Sequence, residues 1–130
     1  MKNIILLLQI TLLGFLCLSV TSVSAKENQK ITHVVMVWLN QPGNKADRTA
    51  FIKASEELNN LPGIISRHVG VVSPSDRSIV DDTFDVAVTV TMKSKAALKA
   101  YLNNPKHKKI LREKIKPLTK RVVAYDFISQ

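Results

Sequence analysis

Apolar residues fall along this chain in blocks of different kinds. One is nearly continuous: Ile4 to Val20 is interrupted only by Gln9, Thr11, Gly14 and Ser19. Beyond a polar stretch from Lys26 to Lys30, Ile31 to Leu39 (ITHVVMVWL) is β-branched and apolar and predicts a strand. Gln41-Pro42-Gly43-Asn44 predicts a turn. From Lys45 to Asn60 the apolar positions Ala46, Ala50, Phe51, Ala54, Leu58 and Leu61 recur at helical spacing, and Pro62-Gly63 stops the helix. Ile64 to Val72 reads as a second strand, followed by a polar loop from Ser73 to Asp82. Thr83 to Met92 is a third strand, with Phe84, Val86, Val88, Val90 and Met92 on one side and Asp85, Ala87, Thr89 and Thr91 on the other. Ser94 caps a second helix through Ala97, Leu98, Tyr101 and Leu102. Asn103-Asn104-Pro105 breaks it, Lys106 to Lys116 forms a short helix, and Arg121 to Ile128 is the last strand.

The order β-α-β-β-α-β with right-handed crossovers predicts an α+β, ferredoxin-like fold with a four-stranded antiparallel sheet in the order 4-1-3-2. The first strand is apolar on both faces: Ile31, Val35, Val37 and Leu39 alternate with Val34, Met36 and Trp38. Two helices cover only one face of such a sheet, and a wet second face should alternate apolar with polar. The second face is therefore expected to be covered by another copy of the chain. A homodimer is predicted, joined sheet to sheet.

The long apolar run changes the compartment. Lys2 precedes it, small polar residues follow, and Val23 and Ala25 occupy the −3 and −1 positions of a cleavage site. This is a secretory signal peptide at 1–25, leaving a 26–130 domain that is exported to the periplasm or secreted. The run of 17 residues is short for a membrane span, and no later segment is long and apolar enough for one. Cys17, the only cysteine, lies in the signal, so the mature chain has no disulfide, thiol nucleophile or thiolate metal site. The net charge of +9, or +8 once Lys2 is removed, is local: Lys93 to Arg121 holds eleven basic residues and one acid, Glu113. That stretch fits a polyanion-binding envelope surface or, more plainly, a solvated face. No aromatic residues interleave with the lysines as a single-strand binder would need, so no nucleic acid is expected.

Several short segments carry a family resemblance. They are His33-Val34-Val35, Leu61-Pro62-Gly63-Ile64, Phe84-Asp85-Val86-Ala87-Val88, Tyr101-Leu102-Asn103-Asn104-Pro105-Lys106-His107 and Tyr125-Asp126-Phe127. In this order and spacing, covering nearly all of 31–128, the chain resembles the stress-responsive A/B barrel (Dabb) family, whose members are dimeric α/β barrels of this size. Many members of that family have no assigned reaction. One, a plant polyketide cyclase, closes an aromatic ring without cofactor through a histidine base and a tyrosine. Its Tyr-x-x-His-Pro-x-His segment is similar to Tyr101–His107, which implies Tyr101 and His107 as candidate catalytic residues and His33 as a pocket residue. Asn104 replaces the first histidine of that segment, and Asp85 stands where the cyclase has a histidine on the third strand.

The expected function is a stress-responsive homodimer binding a small apolar or aromatic ligand, or a partner, with no assigned reaction. The alternative is a cofactor-independent polyketide-cyclase-like or lyase enzyme, with His107 as base and Tyr101 as hydrogen-bond donor. A helix start near His107 would keep its imidazole neutral. His33 and Asp85 are the ligand-binding candidates. Tyr101, His107 and Asp85 are expected at one end of the sheet and His33 toward the other. Each has a plainer role open to it: core aromatic for Tyr101, cap or surface residue for His107, satisfied strand histidine for His33. Asp81-Asp82-Thr83-Phe84-Asp85 matches a magnesium-diphosphate pattern, but Asp85 falls in a strand rather than on a helix face. The scattered histidines have no zinc spacing, no residue stands out as a haem ligand, and there is no nucleotide fingerprint, so neither metal nor cofactor is expected.

Overall fold

The computed structural model describes residues 29–129. The expected signal peptide at 1–25 lies outside the described residues. The elements are β1 (Ile31–Leu39), α1 (Lys45–Glu56), β2 (Ile64–Val71), β3 (Val86–Met92), α2 (Lys95–Asn103), α3 (Pro105–Ile110) and β4 (Thr119–Ile128). A π-helical turn, Leu111–Ile115, and a 3-10 turn, Lys116–Leu118, join α3 to β4. The sheet order is β2-β3-β1-β4 with every neighbouring pair antiparallel, the arrangement expected for a ferredoxin-like α+β fold.

The helix starts follow the local chemistry. Asn44 accepts hydrogen bonds from the Ala46 and Asp47 amides at the head of α1. Ser94 accepts from Ala97 in α2, and Asn104 from Lys106 in α3, with Pro105 as the first helical residue. The first helix ends at Glu56, short of the expected Asn60. Glu57 to Asn60 instead form tight turns, with Leu58 bonded back to Ser55 and Asn59 to Glu56. The chain then turns at Gly63, whose φ of 88° is the left-handed region. A Cβ there would also stand 2.9 Å from the Ala97 Cβ, so glycine is required twice over. The expected helix from Lys106 to Lys116 is regular only to Ile110 and continues as the π-helical and 3-10 turns.

One face of the sheet is covered by the helices. Val37, Leu39, Val86, Val90 and Met92 are fully buried there, against Phe51 and Leu58 from the α1 side and Leu98 and Tyr101 from α2. Among the described residues the opposite face carries no helix. Val34, Met36 and Trp38 are half-buried on it, while Tyr125 and Phe127 of β4 are more than half exposed. Arg121 lies 4.4 Å over the Trp38 ring, and the Trp38 indole N–H donates to Thr83. No helix among the described residues is long and apolar enough to cross a membrane.

Candidate functional site

Antiparallel register aligns residues from all strands into rows across the covered face. Arg67 of β2 pairs with Val90 of β3, Val90 with His33 of β1, and His33 with Asp126 of β4. Beside this polar row lie apolar ones, Val69-Val88-Val35-Ala124 and Val71-Val86-Val37-Val122. Against neighbours of that kind, a row bearing a guanidinium, an imidazole and a carboxylate is the chemically distinct part of the sheet.

His33 is buried, and its Nδ1 lies 2.6 Å from Asp126 Oδ1. A carboxylate only accepts, so Nδ1 carries the hydrogen of this contact. At the other edge Arg67 donates through Nη1 to Asn59 Oδ1 (2.8 Å) and through Nη2 to Ser55 Oγ, while its buried Nε has no partner. The premature end of α1 positions Asn59 for this contact.

Above the row sit Tyr101 and His107, both buried, with ring centroids 4.5 Å apart and planes tilted by 55°. The break at Asn104-Pro105 folds α3 back so that these rings meet. Burial holds the His107 pKa below the usual histidine value, and the nearby charges of His33 and Arg67 push the same way, against a smaller opposing pull from the Leu102 carbonyl. The neutral imidazole was expected; its cause is desolvation rather than a helix start. His107 Nδ1 is buried without a hydrogen-bond partner, free to accept a proton or a ligand hydrogen bond.

These side chains enclose a cavity of about 170 Å3, lined by His33, Arg67, Tyr101 and His107 and otherwise by valines, leucines, Phe51, Ile115, Ser55 and Ala124. No acidic residue lines it. An open, shallower groove of about 590 Å3 runs outside, between Lys95, Lys99 and Asn103 of α2 and Asp126 and Phe127 of β4, with Leu102 shared between the two. The smaller cavity holds the convergent polar groups and is the candidate site. No group of metal-ligating side chains occurs among the described residues.

Two expectations about placement are corrected. His33 is not remote from Tyr101 and His107; it lines the same cavity. A helix rises about 1.5 Å per residue against about 3.3 Å for a strand, so α2 does not retrace the length of β3 and Tyr101 stays over the Val90–His33 end. Asp85, expected beside Tyr101 and His107 as a ligand-binding candidate, lines neither cavity nor groove. Strand β3 begins at Val86, three residues after the expected Thr83, and the Asp85 carboxylate turns into the β1–α1 junction. There Oδ2 accepts from the Leu39 amide (2.9 Å), and Oδ1 from Gly43 (2.7 Å) and Arg48 Nη2 (3.1 Å). Burial raises its pKa, but these donors outweigh burial and the net direction is downward. Arg67 and Asp126 were missed as site residues. Arg67 shares strand parity with Val69 and Val71, which would have placed it on the covered face; Asp126 needed the β1–β4 register.

An α+β sheet of this topology, helices on one face, defines a ferredoxin-like fold. Residues 31–129 match the Stress Responsive A/B Barrel Domain (Dabb) family, and the chain belongs to it. Its fold is shared with a Dabb family protein from Mesorhizobium loti, at 16% identity and TM-score 0.65, over 78% of this chain and 98% of that one. A dimeric ferredoxin-like protein of unknown function from Thermobifida fusca is 21% identical with TM-score 0.63, over 78% of this chain and 92% of its own. A hydroxynitrile lyase from Passiflora edulis is 17% identical with TM-score 0.68, over 79% and 95%. Among curated proteins no match was found.

Proposed function

We propose that the protein is a homodimeric A/B barrel that takes a small, largely apolar molecule with a hydrogen-bonding group into the cavity beneath Tyr101 and His107. The observation carrying this reading is His107: buried, held neutral, stacked near Tyr101, and with Nδ1 unpartnered in an otherwise apolar space. A buried polar atom without a partner is costly, and a bound ligand supplies that partner. A thermal-shift screen of single-ring alcohols, phenols and ketones tests it. Saturating ligand at about 100 times its Kd adds about 2.7 kcal/mol and raises the melting temperature by several degrees. The shift is expected to fall in His107→Ala and Tyr101→Phe; the absence of any shift across the panel overturns the reading.

The homodimer is supported by the uncovered sheet face and by the dimeric state of the Thermobifida relative. Half-buried Val34, Met36 and Trp38 form the centre of the proposed contact. Light scattering at micromolar protein should give a dimer, and Met36→Glu should give a monomer. Export is proposed from the leader alone; an intact mass beginning at Lys26 in the exported fraction checks it.

A second reading, proton abstraction with lyase or ring-closing chemistry, is favoured by the same two rings. His107 Nδ1 takes a proton from a carbon beside a carbonyl or from a cyanohydrin-like hydroxyl. The Tyr101 hydroxyl donates to the oxygen on which charge develops. Asp126 orients His33 as a second imidazole at the cavity floor. The fold likeness to a hydroxynitrile lyase makes a small hydroxynitrile the first substrate to try. Turnover lowered at least about a hundredfold by His107→Ala supports it; turnover indifferent to both substitutions removes it.

A further inference from the structure

Arg67 is a cation with no opposite charge. Among the described residues it takes part in no ion pair, its Nη groups meet only the neutral oxygens of Asn59 and Ser55, and its buried Nε meets nothing. Among the described residues, no Asp or Glu lines the same cavity. The one carboxylate in its row, Asp126, is three strands away, about 14 Å at the usual strand spacing, and is engaged by His33. Arg67 is half-buried and ties β2 to the end of α1 through Ser55 and Asn59, but its guanidinium has no counter-charge there and its buried Nε is left without a hydrogen-bond partner, which is unfavourable. An apolar residue would continue the pattern of Val69 and Val71. The unmet demand is for an anion inside the cavity.

Size narrows the class. A dry apolar cavity of about 150 Å3 accommodates benzene, so a space of about 170 Å3 holds one ring and a small substituent. We propose that the ligand is a single-ring aromatic, or similarly sized, carboxylic acid whose carboxylate pairs with Arg67 while its ring lies among the valines under Tyr101 and His107. This rests on the small-molecule reading of the cavity and adds the charge of the ligand to it. The net charge of +9 draws such an anion toward the protein.

Calorimetry on the purified protein with benzoate and with neutral, isosteric benzyl alcohol tests it. In the unaltered protein benzoate is expected to bind at least about tenfold more tightly than benzyl alcohol, the scale of a charge-assisted hydrogen bond. Arg67→Met should remove that preference, and Arg67→Lys should retain part of it. Equal affinity for the two compounds in the unaltered protein overturns the inference whatever the variants do. So does benzoate binding that survives Arg67→Met and disappears in about 0.5 M salt, which assigns it to surface lysines. In both cases benzyl alcohol binding leaves the small-molecule reading standing; if neither compound binds, both fall.

Discussion

Asp85 and His107 are both buried, both titratable and both shifted downward in pKa, yet they do opposite things. Every oxygen of the Asp85 carboxylate is engaged: two backbone amides and the Arg48 guanidinium converge on it at the junction of β1 and α1. His107 has a ring nitrogen that meets nothing. The first arrangement is what a fold does with a polar group it keeps for itself. The second is what it does with a polar group meant for something else. Burial opposes the Asp85 shift and produces the His107 shift. The direction of a pKa change therefore separates the two less well than the list of partners does.

The largest expected effect lies at the satisfied group. Asp85→Ala strands the Leu39 and Gly43 amides and leaves Arg48 beside a void. Such a loss costs about 3 kcal/mol, which in a domain this size lowers the melting temperature by more than about 10 °C. Denaturant titration measures it directly. A cost within the range of an ordinary surface change would mean that water replaces the carboxylate, and Asp85 would return to the list of ligand-binding candidates.

That list shows how far the sequence could be read. The two-sided apolar character of β1, the caps Ser94 and Asn104, and the Pro62-Gly63 stop are local signals, and the strand order follows from them through handedness. Tyr101 and His107 were legible through the similarity of the Tyr101–His107 segment to that of the cyclase, and the break at Asn103-Asn104-Pro105 lets the two rings meet. Asp85 was not, because the strand was expected to start at Thr83, whereas it starts at Val86 and the Asp85 side chain follows the donors at Leu39, Gly43 and Arg48. Asp126 could be attached to His33 only through the β1–β4 register, which no single strand encodes. Arg67 was readable from parity with Val69 and Val71, but an arginine beside His68 is easily taken as surface, and only the cavity shows otherwise.

A smaller effect of the opposite sign is expected at the unsatisfied group. Replacing both members of a satisfied pair is not the issue at His107, since Nδ1 has no partner to orphan. His107→Phe fills the same space beside Tyr101 without burying a nitrogen. Stability should be unchanged or rise by up to about 1 kcal/mol, while ligand binding in the cavity is lost. Gain or neutrality in stability with loss of binding is the signature of a group held for function. Destabilisation by as much as Asp85→Ala would place His107 among the structural residues, and the distinction drawn from their hydrogen bonds would fail.

The last effect is the dependence of stability on pH, where the two groups act in different windows. For both, the folded pKa lies below the unfolded one, so the folded state binds fewer protons and stability falls as the pH is lowered. For His107 the loss begins below the unfolded histidine value, about 6.5, and continues as the pH drops through the lowered folded value. For Asp85 stability is full above the unfolded carboxylate value, about 3.9, and is lost only as the pH falls through a still lower one. Melting curves between about pH 7 and 5 should therefore show a decline in the unaltered protein that is reduced in His107→Phe, with Asp85 silent over that range. An anion on Arg67 should shrink the same decline, because it offsets one of the positive charges that oppose protonation of His107. A decline in His107→Phe equal to that of the unaltered protein would trace the dependence to another group and detach the neutral imidazole from the stability of the fold.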